Sequence, residues 1–306
     1  MTNIRAFQAP PGLAPGARVA VIAPASAFDR ASFDSGLACI AARYDVHYQP
    51  AIFERHRYLA GSDERRLREL ADALLDPAIK GVFCARGGYG ATRLLPRLTA
   101  LAPHAPKPLV GFSDITALHM WLQSRGTISI HGPVLTQLGL LPEETRQRLF
   151  HLLESPVPAP ALHASATCVP GVAEGPLLGG TLSVVTRLLG TAYLPSLEGA
   201  ILLLEDVGER PYRLDRMWTH LELAGVLRQV RGIALGSFTN CEEREADYRA
   251  ADVLRELAEA AGLPCAAGFP IGHGAANEPV PLGARVRLDA TARSLTFLEA
   301  AVSPGA

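Results

Sequence analysis

Ser113, Glu205 and His273 stand in that order along the chain, each at or just after the end of an apolar run. Their types suit a nucleophile, an orienting acid and a base. The first lies in Leu109-Val110-Gly111-Phe112-Ser113-Asp114-Ile115-Thr116-Ala117-Leu118, where the apolar run ends at Gly111 and a helical pattern follows the serine. That arrangement puts a hydroxyl at the carboxyl end of a strand and the amino end of a helix. Backbone N–H groups are unpaired there, and the helix dipole favours negative charge. A serine nucleophile needs both, because its attack generates an oxyanion that donors must already face. Serine is also a favoured N-cap, and on this segment alone capping is the simpler reading. The rest of the chain reverses that order.

Glu205 closes the run Ala200-Ile201-Leu202-Leu203-Leu204 and precedes Asp206. A carboxylate at the end of a buried strand must be solvated, paired or functional. Arg210 and Arg213 are the nearby candidates for pairing. His273, in Gly272-His273-Gly274, follows the apolar segment from Ala267 to Ile271. A strand-end position between glycines suits an imidazole that reaches a substrate. His56, His104, His151 and His163 read as surface residues, and His119, His131 and His220 as structural ones. The α/β-hydrolase elbow G-x-S-x-G is not matched, because Ile115 replaces its second glycine.

Arg86-Gly87-Gly88-Tyr89-Gly90 is the other feature that could serve a site. Three glycines in five residues permit a close approach and can turn N–H groups toward an anion. A tight strand-to-helix turn explains the glycines equally well. Arg86 favours a site, since arginine grips carboxylates through two hydrogen bonds.

The elements that must position these residues alternate through the first half. Arg18 to Ala23, Val46 to Gln49, Ile79 to Ala85, Leu109 to Phe112 and Thr127 to Ile130 read as strands. Helices near Ala31–Tyr44 and from Ser62 onward separate the first three. This alternation predicts an α/β fold with a parallel sheet, whose ligands collect at the carboxyl ends of the strands. Arg86 and Ser113 both fall at such ends. The prolines between Ser155 and Pro176 suggest a connection between domains. Beyond it come the Gly179-Gly180 turn, strands at 200–205 and 232–238, helices near 211–224 and 246–261, and a strand-rich end from Pro281 to Leu298.

A length of 306 residues favours two domains over one core. With 48% apolar and 19% charged residues, the chain suits a globular enzyme rather than a disordered protein. A net charge of −1 offers no footprint for nucleic acid or an anionic membrane surface. The apolar runs are too short and interrupted for a transmembrane helix, and Met1 to Arg18 has no signal-peptide core. Five scattered cysteines without metal-ligand spacing suit a reducing compartment. The expectation is a soluble cytoplasmic protein, its cysteines mostly buried as small hydrophobes.

Several motifs in order resemble those of the LD-carboxypeptidase (muramoyltetrapeptide carboxypeptidase) serine peptidase family, which includes the microcin C self-immunity peptidases. They are Ala23-Pro24-Ala25-Ser26, Leu59-Ala60-Gly61-Ser62-Asp63-Glu64-Arg65-Arg66, the stretch from Arg86 to Pro96, and Gly111-Phe112-Ser113-Asp114-Ile115-Thr116. The second half adds Leu204-Glu205-Asp206-Val207-Gly208-Glu209, Tyr212-Arg213-Leu214-Asp215-Arg216 and Gly272-His273-Gly274. The resemblance implies Ser113 as nucleophile, His273 as general base and Glu205 as its orienting carboxylate. It implies an oxyanion hole from the N–H groups of Gly88 and Asp114, with Arg86, Gly87 and Tyr89 beside the substrate. The implied architecture is an N-terminal α/β domain of Rossmann or flavodoxin type, over 1–160, carrying the serine. A linker at 161–176 then leads to a swivelling-type β/α domain over 177–306, carrying the glutamate and histidine. The implied assembly is a homodimer, without metal or organic cofactor. The implied reaction is hydrolysis of the bond between an L-centre and a terminal D-alanine in murein tetrapeptide. A peptidyl-adenylate hydrolase with the same triad, and a non-catalytic anion-binding protein, are the alternatives. One departure stands out: the family often reads Gly-Gly-Asn-Leu where this chain has Gly179-Gly180-Thr181-Leu182. Threonine replaces only part of an asparagine's hydrogen bonding.

Overall fold

The computed structural model describes residues 7–99, 101, 105–243 and 245–305; His104 lies outside them. Five strands of the first half, β1 (Arg18–Ile22), β2 (Asp45–His47), β3 (Gly81–Cys84), β4 (Leu109–Gly111) and β5 (Ser129–His131), form a parallel sheet in the order β5-β4-β3-β1-β2. The inner strands are continuous apolar runs because side chains on both faces are covered. Helix Arg30–Ala41 is capped by the Asp29 carboxylate, and helix Asp63–Leu75 by the Ser62 hydroxyl. Asp63 and Glu64 occupy the first turn of the latter, where the helix dipole favours them.

The second half builds an eight-stranded mixed sheet. Its chain order begins with β6 (Leu162–His163), β7 (Ala166–Val169), β8 (Val172–Thr181), β9 (Ile201–Val207), β10 (Gly232–Thr239) and β11 (Cys265–Ala267). Strands β8 to β11 are parallel neighbours, and β7 closes one edge antiparallel. The proline-rich stretch expected to be a plain connection thus contributes β6, β7 and the first half of β8. Pro176 is tolerated within β8 because it stands at a changeover, with pairing to β9 starting only at Leu177.

The chain then crosses back. Strand β12 (Val280–Leu282) leaves the second half and pairs antiparallel with β5 at the edge of the first sheet. Strands β13 (Arg285–Asp289) and β14 (Ser294–Phe297) return to the second sheet. Two apolar clusters, one holding Ala20 and Ile22 and the other Val19 and Val21, each extend through both sheets. The halves therefore share their core. Helix Glu143–Glu154 has no counterpart among the elements read from sequence, although Glu143 and Glu144 in its first turn are start signals. His220 was expected to be structural but stands on the exposed face of helix Pro211–Leu223. Cys84, Cys241 and Cys265 are buried, whereas Cys39 and Cys168 are half-buried. No helix among the described residues is long and apolar enough to cross a membrane.

The seam between the halves lies at helix Thr116–Ser124, which directly follows Ser113 and is buried along almost its whole length. The Thr181 N–H at the end of β8 donates to Thr116 Oγ1 over 3.1 Å. Gly180 makes this approach possible: its φ is +137°, and a Cβ there would lie 2.6 Å from Thr116 Oγ1. Gly180→Ala is therefore expected to cost about 1–3 kcal/mol, the usual penalty of overpacking, measured as a lower urea midpoint. An unchanged midpoint would show that the seam has slack.

Candidate active site

Ser113 follows β4 after one residue, opens a single 3-10 turn, and has φ +63°. A non-glycine residue in the left-handed region carries strain, which survives only where the surroundings enforce it. Here Ile115 packs onto Gly111, where a Cβ would lie 2.9 Å from Ile115 Cγ2. The sharp strand-to-helix turn of an elbow is thus made with one glycine, and an isoleucine in the place of the second. Behind the turn, the buried His119 fixes the strand end through Nε2 to the Gly111 carbonyl (2.8 Å) and Nδ1 to Ser129 Oγ (2.9 Å). Burial lowers its pKa to about 4, so the ring is neutral and structural, as its sequence setting suggested.

His273 comes from the second half. It sits six residues beyond β11, on an irregular segment rather than at the strand end expected for it. Its side chain is 15% exposed, so the flanking glycines do not leave it bare. Their role is clearance: a Cβ at Gly272, where φ is +106°, would fall 2.3 Å from Glu205 Oε2. The segment is pinned by Ser237, whose Oγ accepts from Gly274 N at 2.9 Å and whose N–H donates to the Ile271 carbonyl at 2.8 Å. The buried Asn277 adds Oδ1, accepting from Gly272 N at 2.9 Å. Phe112 lies against the imidazole with ring centroids 4.6 Å apart.

The three expected residues meet. His273 Nε2 is 3.1 Å from Ser113 Oγ, and His273 Nδ1 is 2.7 Å from Glu205 Oε2. Glu205 lies inside β9 with no solvent exposure. Its carboxylate accepts from His273 Nδ1, from the His273 backbone N–H at 3.3 Å, and from the Thr181 hydroxyl on its other oxygen. Arg210 and Arg213, the alternative partners, pair instead with Glu243 and Glu209. Thr181, where the family often has asparagine, thus directs its hydroxyl to Glu205. Asp206 is also buried, with a pKa pushed up to about 6 by burial, and it caps helix Leu182–Arg187 through Ser183 N at 2.7 Å.

The glycine turn lies beside the serine: a Cβ on Gly87 would be 2.8 Å from Ser113 Cβ. Gly88 has φ +96°. Asp114 sits in the first helical turn, and its buried carboxylate accepts from Ala91 N at 2.7 Å, tying the glycine turn to the elbow. Burial raises that carboxyl to a pKa of about 6. Arg86 is exposed, and its Nη1 donates to the Ala27 carbonyl over 2.7 Å; among the described residues it makes no ion pair. Tyr89 is 47% exposed at the same rim. Among the described residues, no group of three or more His, Cys, Asp or Glu side chains could hold a metal ion.

An imidazole held by a buried carboxylate, with its second nitrogen facing a strained serine hydroxyl, can take a proton from that hydroxyl. The family model for the LD-carboxypeptidase N-terminal domain matches residues 19–132, and that for the C-terminal domain matches 174–288. The chain belongs to the LD-carboxypeptidase family. It is similar to the murein tetrapeptide carboxypeptidase of Pseudomonas aeruginosa, at 39% identity over 87% of this chain and 91% of the relative. Among solved structures, the muramoyltetrapeptide carboxypeptidase of Oxalobacter formigenes superposes with a TM-score of 0.83 at 29% identity, covering 94% of this chain and 99% of that one. The wild-type microcin C7 self-immunity protein MccF gives a TM-score of 0.85 at 21% identity, with 97% and 99% covered, a likeness of fold. Membership makes the chain a carboxypeptidase with the expected α/β architecture.

Ser26, Thr116, Ser237 and Asn277 carry the site's hydrogen bonds without having been singled out for a role in it, while Thr181, marked only as a departure from the family pattern, bonds Glu205. Generic polar residues acquire these roles only from which distant elements meet. Thr181→Val should leave one oxygen of a fully buried carboxylate short of a donor and cost about 1–3 kcal/mol in urea denaturation. Thr181→Ser should retain most of the stability. Equal stability of the valine variant and the parent would mean the hydroxyl is not needed by Glu205.

Proposed function

We propose that the protein is a serine LD-carboxypeptidase that removes the terminal D-alanine of murein tetrapeptide during cytoplasmic cell-wall recycling. The observation that carries the reading is the hydrogen-bond chain Glu205–His273–Ser113. Glu205 holds the imidazole with its proton on Nδ1, which leaves the Nε2 lone pair facing the serine hydroxyl. In this reading Ser113 Oγ attacks the scissile carbonyl carbon as its proton passes to His273 Nε2. The tetrahedral oxyanion is taken by the N–H groups of Gly88 and Asp114. The C–N bond then breaks, and His273 returns its proton to the departing amine. Water, deprotonated by the same imidazole, hydrolyses the acyl ester and restores Ser113.

A carboxypeptidase must also recognise a free carboxylate. Arg86 stands next to Gly87, is exposed, and has no acidic partner among the described residues, which supports it as the cation for that end. The 39% identity to a relative named for murein tetrapeptide supports the choice of substrate. An anion-binding protein would have no use for a buried carboxylate whose donors hold one imidazole against one serine.

Incubation with murein tetrapeptide should release D-alanine, and Ser113→Ala should lower that rate by at least about 10³-fold without unfolding the chain. Near-parental activity in this variant would eliminate the serine mechanism. Amidation of the peptide's C-terminus should abolish most cleavage. Arg86→Lys should lose most activity on the free acid yet match the parent on the amide. Equal fractional losses on both substrates would instead make Arg86 a support for the loop.

A further inference from the structure

The two residues that flank Gly88 in the glycine turn, Gly87 and Tyr89, are both hydrogen-bonded to Ser26. The Ser26 backbone N–H donates to the Gly87 carbonyl at 3.1 Å. Its Oγ accepts from the Tyr89 N–H at 3.0 Å and donates to the Tyr89 carbonyl at 3.4 Å. A single residue therefore brackets Gly88 on both sides. Gly88 itself lies so close that a Cβ there would stand 2.4 Å from Ser26 Oγ. The far end of the turn is fixed separately: the fully buried Arg66 donates to the Gly90 carbonyl at 2.8 Å, and Asp114 accepts from Ala91 N.

This bracketing has a directional consequence. The C=O and N–H of a trans peptide point in opposite directions. Because the Gly87 carbonyl points at Ser26, the N–H of the same peptide unit, that of Gly88, points away from it. Among the described residues this N–H meets no protein acceptor. Rotation of the unit would break the bond to Ser26 N, and the hydroxyl on Tyr89 N holds the next unit against the same rotation.

We infer that Ser26 is a positioning residue, whose hydroxyl and N–H together hold the Gly88 N–H toward the oxyanion formed on attack by Ser113. The inference rests on the proposed readings of Ser113 as nucleophile and of the Gly88 N–H as an oxyanion donor. A donor preorganised for the oxyanion acts on the transition state and leaves ground-state binding of the peptide almost untouched. The hydroxyl of Ser26 is the part that a substitution can remove, and Ser26→Ala retains the backbone bond to Gly87.

The test measures three quantities for the parent and Ser26→Ala: the rate of fluorophosphonate labelling mapped to Ser113, kcat and KM on murein tetrapeptide, and the melting temperature. Labelling rate and kcat should fall together by about 10- to 100-fold, short of the loss of a whole donor, while KM moves less than about twofold. The melting temperature should stay well above the assay temperature. Parental labelling and kcat in Ser26→Ala would overturn the inference, as would a loss confined to KM. If Ser26→Ala melts too low to assay, Ser26→Cys keeps the side-chain length with a weaker acceptor and should fall between parent and alanine behaviour. Parental rates in that variant would overturn the inference as well. A parent that shows no label on Ser113 would remove the nucleophile reading itself, a result distinguishable because it needs no variant.

Discussion

A carboxylate with no access to water must be given donors by the protein, and the placement of Glu205 organises the site around that need. Stranding such a charge costs several kcal/mol, whereas satisfying it fixes whatever supplies the donors. Glu205 draws on two different elements: Thr181 at the end of β8, and both the backbone and the ring of His273 on the segment after β11. The glycines nearby follow from the same constraint. Gly272 leaves no side chain where the Glu205 carboxylate lies, and a Cβ on Gly236 would stand 3.0 Å from Glu205 Cβ. The imidazole is therefore held at both its backbone and its Nδ1, and only Nε2 is left to act.

What Nε2 meets depends on the other half of the chain. Ser113 occupies a strained backbone conformation at the start of the helix that also carries Thr116. Thr116 binds the N–H of Thr181, whose hydroxyl binds Glu205, so the acid is linked through the seam to the helix that follows the Ser113 turn. Shared apolar clusters and the return of β12 to the first sheet hold the halves in one arrangement. Strain at Ser113 is sustained by packing on both sides, in the way functional sites commonly store it.

Ser113, Glu205 and His273 were legible as a set because each stands at or just after the end of an apolar run, and burial makes a polar residue there expensive without a purpose. The first sheet was legible for a related reason, since its inner strands are unbroken apolar runs. The pairing of β12 was not: the strand-rich end from Pro281 was read as part of the second half, whereas its first three-residue strand, with Pro281, joins the edge of the first sheet, where a missing N–H is tolerated. Strands β6 and β7 were hidden by the surrounding prolines. The supporting hydroxyls of Ser26 and Ser237 could not be recognised from type or spacing, and Thr181 stood out as a departure without its partner being legible. Each gains its role from a partner 24 to 63 residues away, which only the fold brings near. The glycines around His273 pointed to a residue that the fold sets between Glu205 and Ser113, although their work is to admit Glu205 rather than to expose the ring.

Under the proposed function, the fold delivers Ser113 to His273 as a nucleophile toward a peptide carbonyl. Acid quenching within the first turnover on murein tetrapeptide, followed by peptide mass mapping, examines that step. A transient ester on Ser113 is expected, its added mass that of the peptide acyl group without the terminal residue. Steady release of D-alanine with Ser113 unmodified at every quench time, and with hydrolysis persisting in Ser113→Ala, would contradict it.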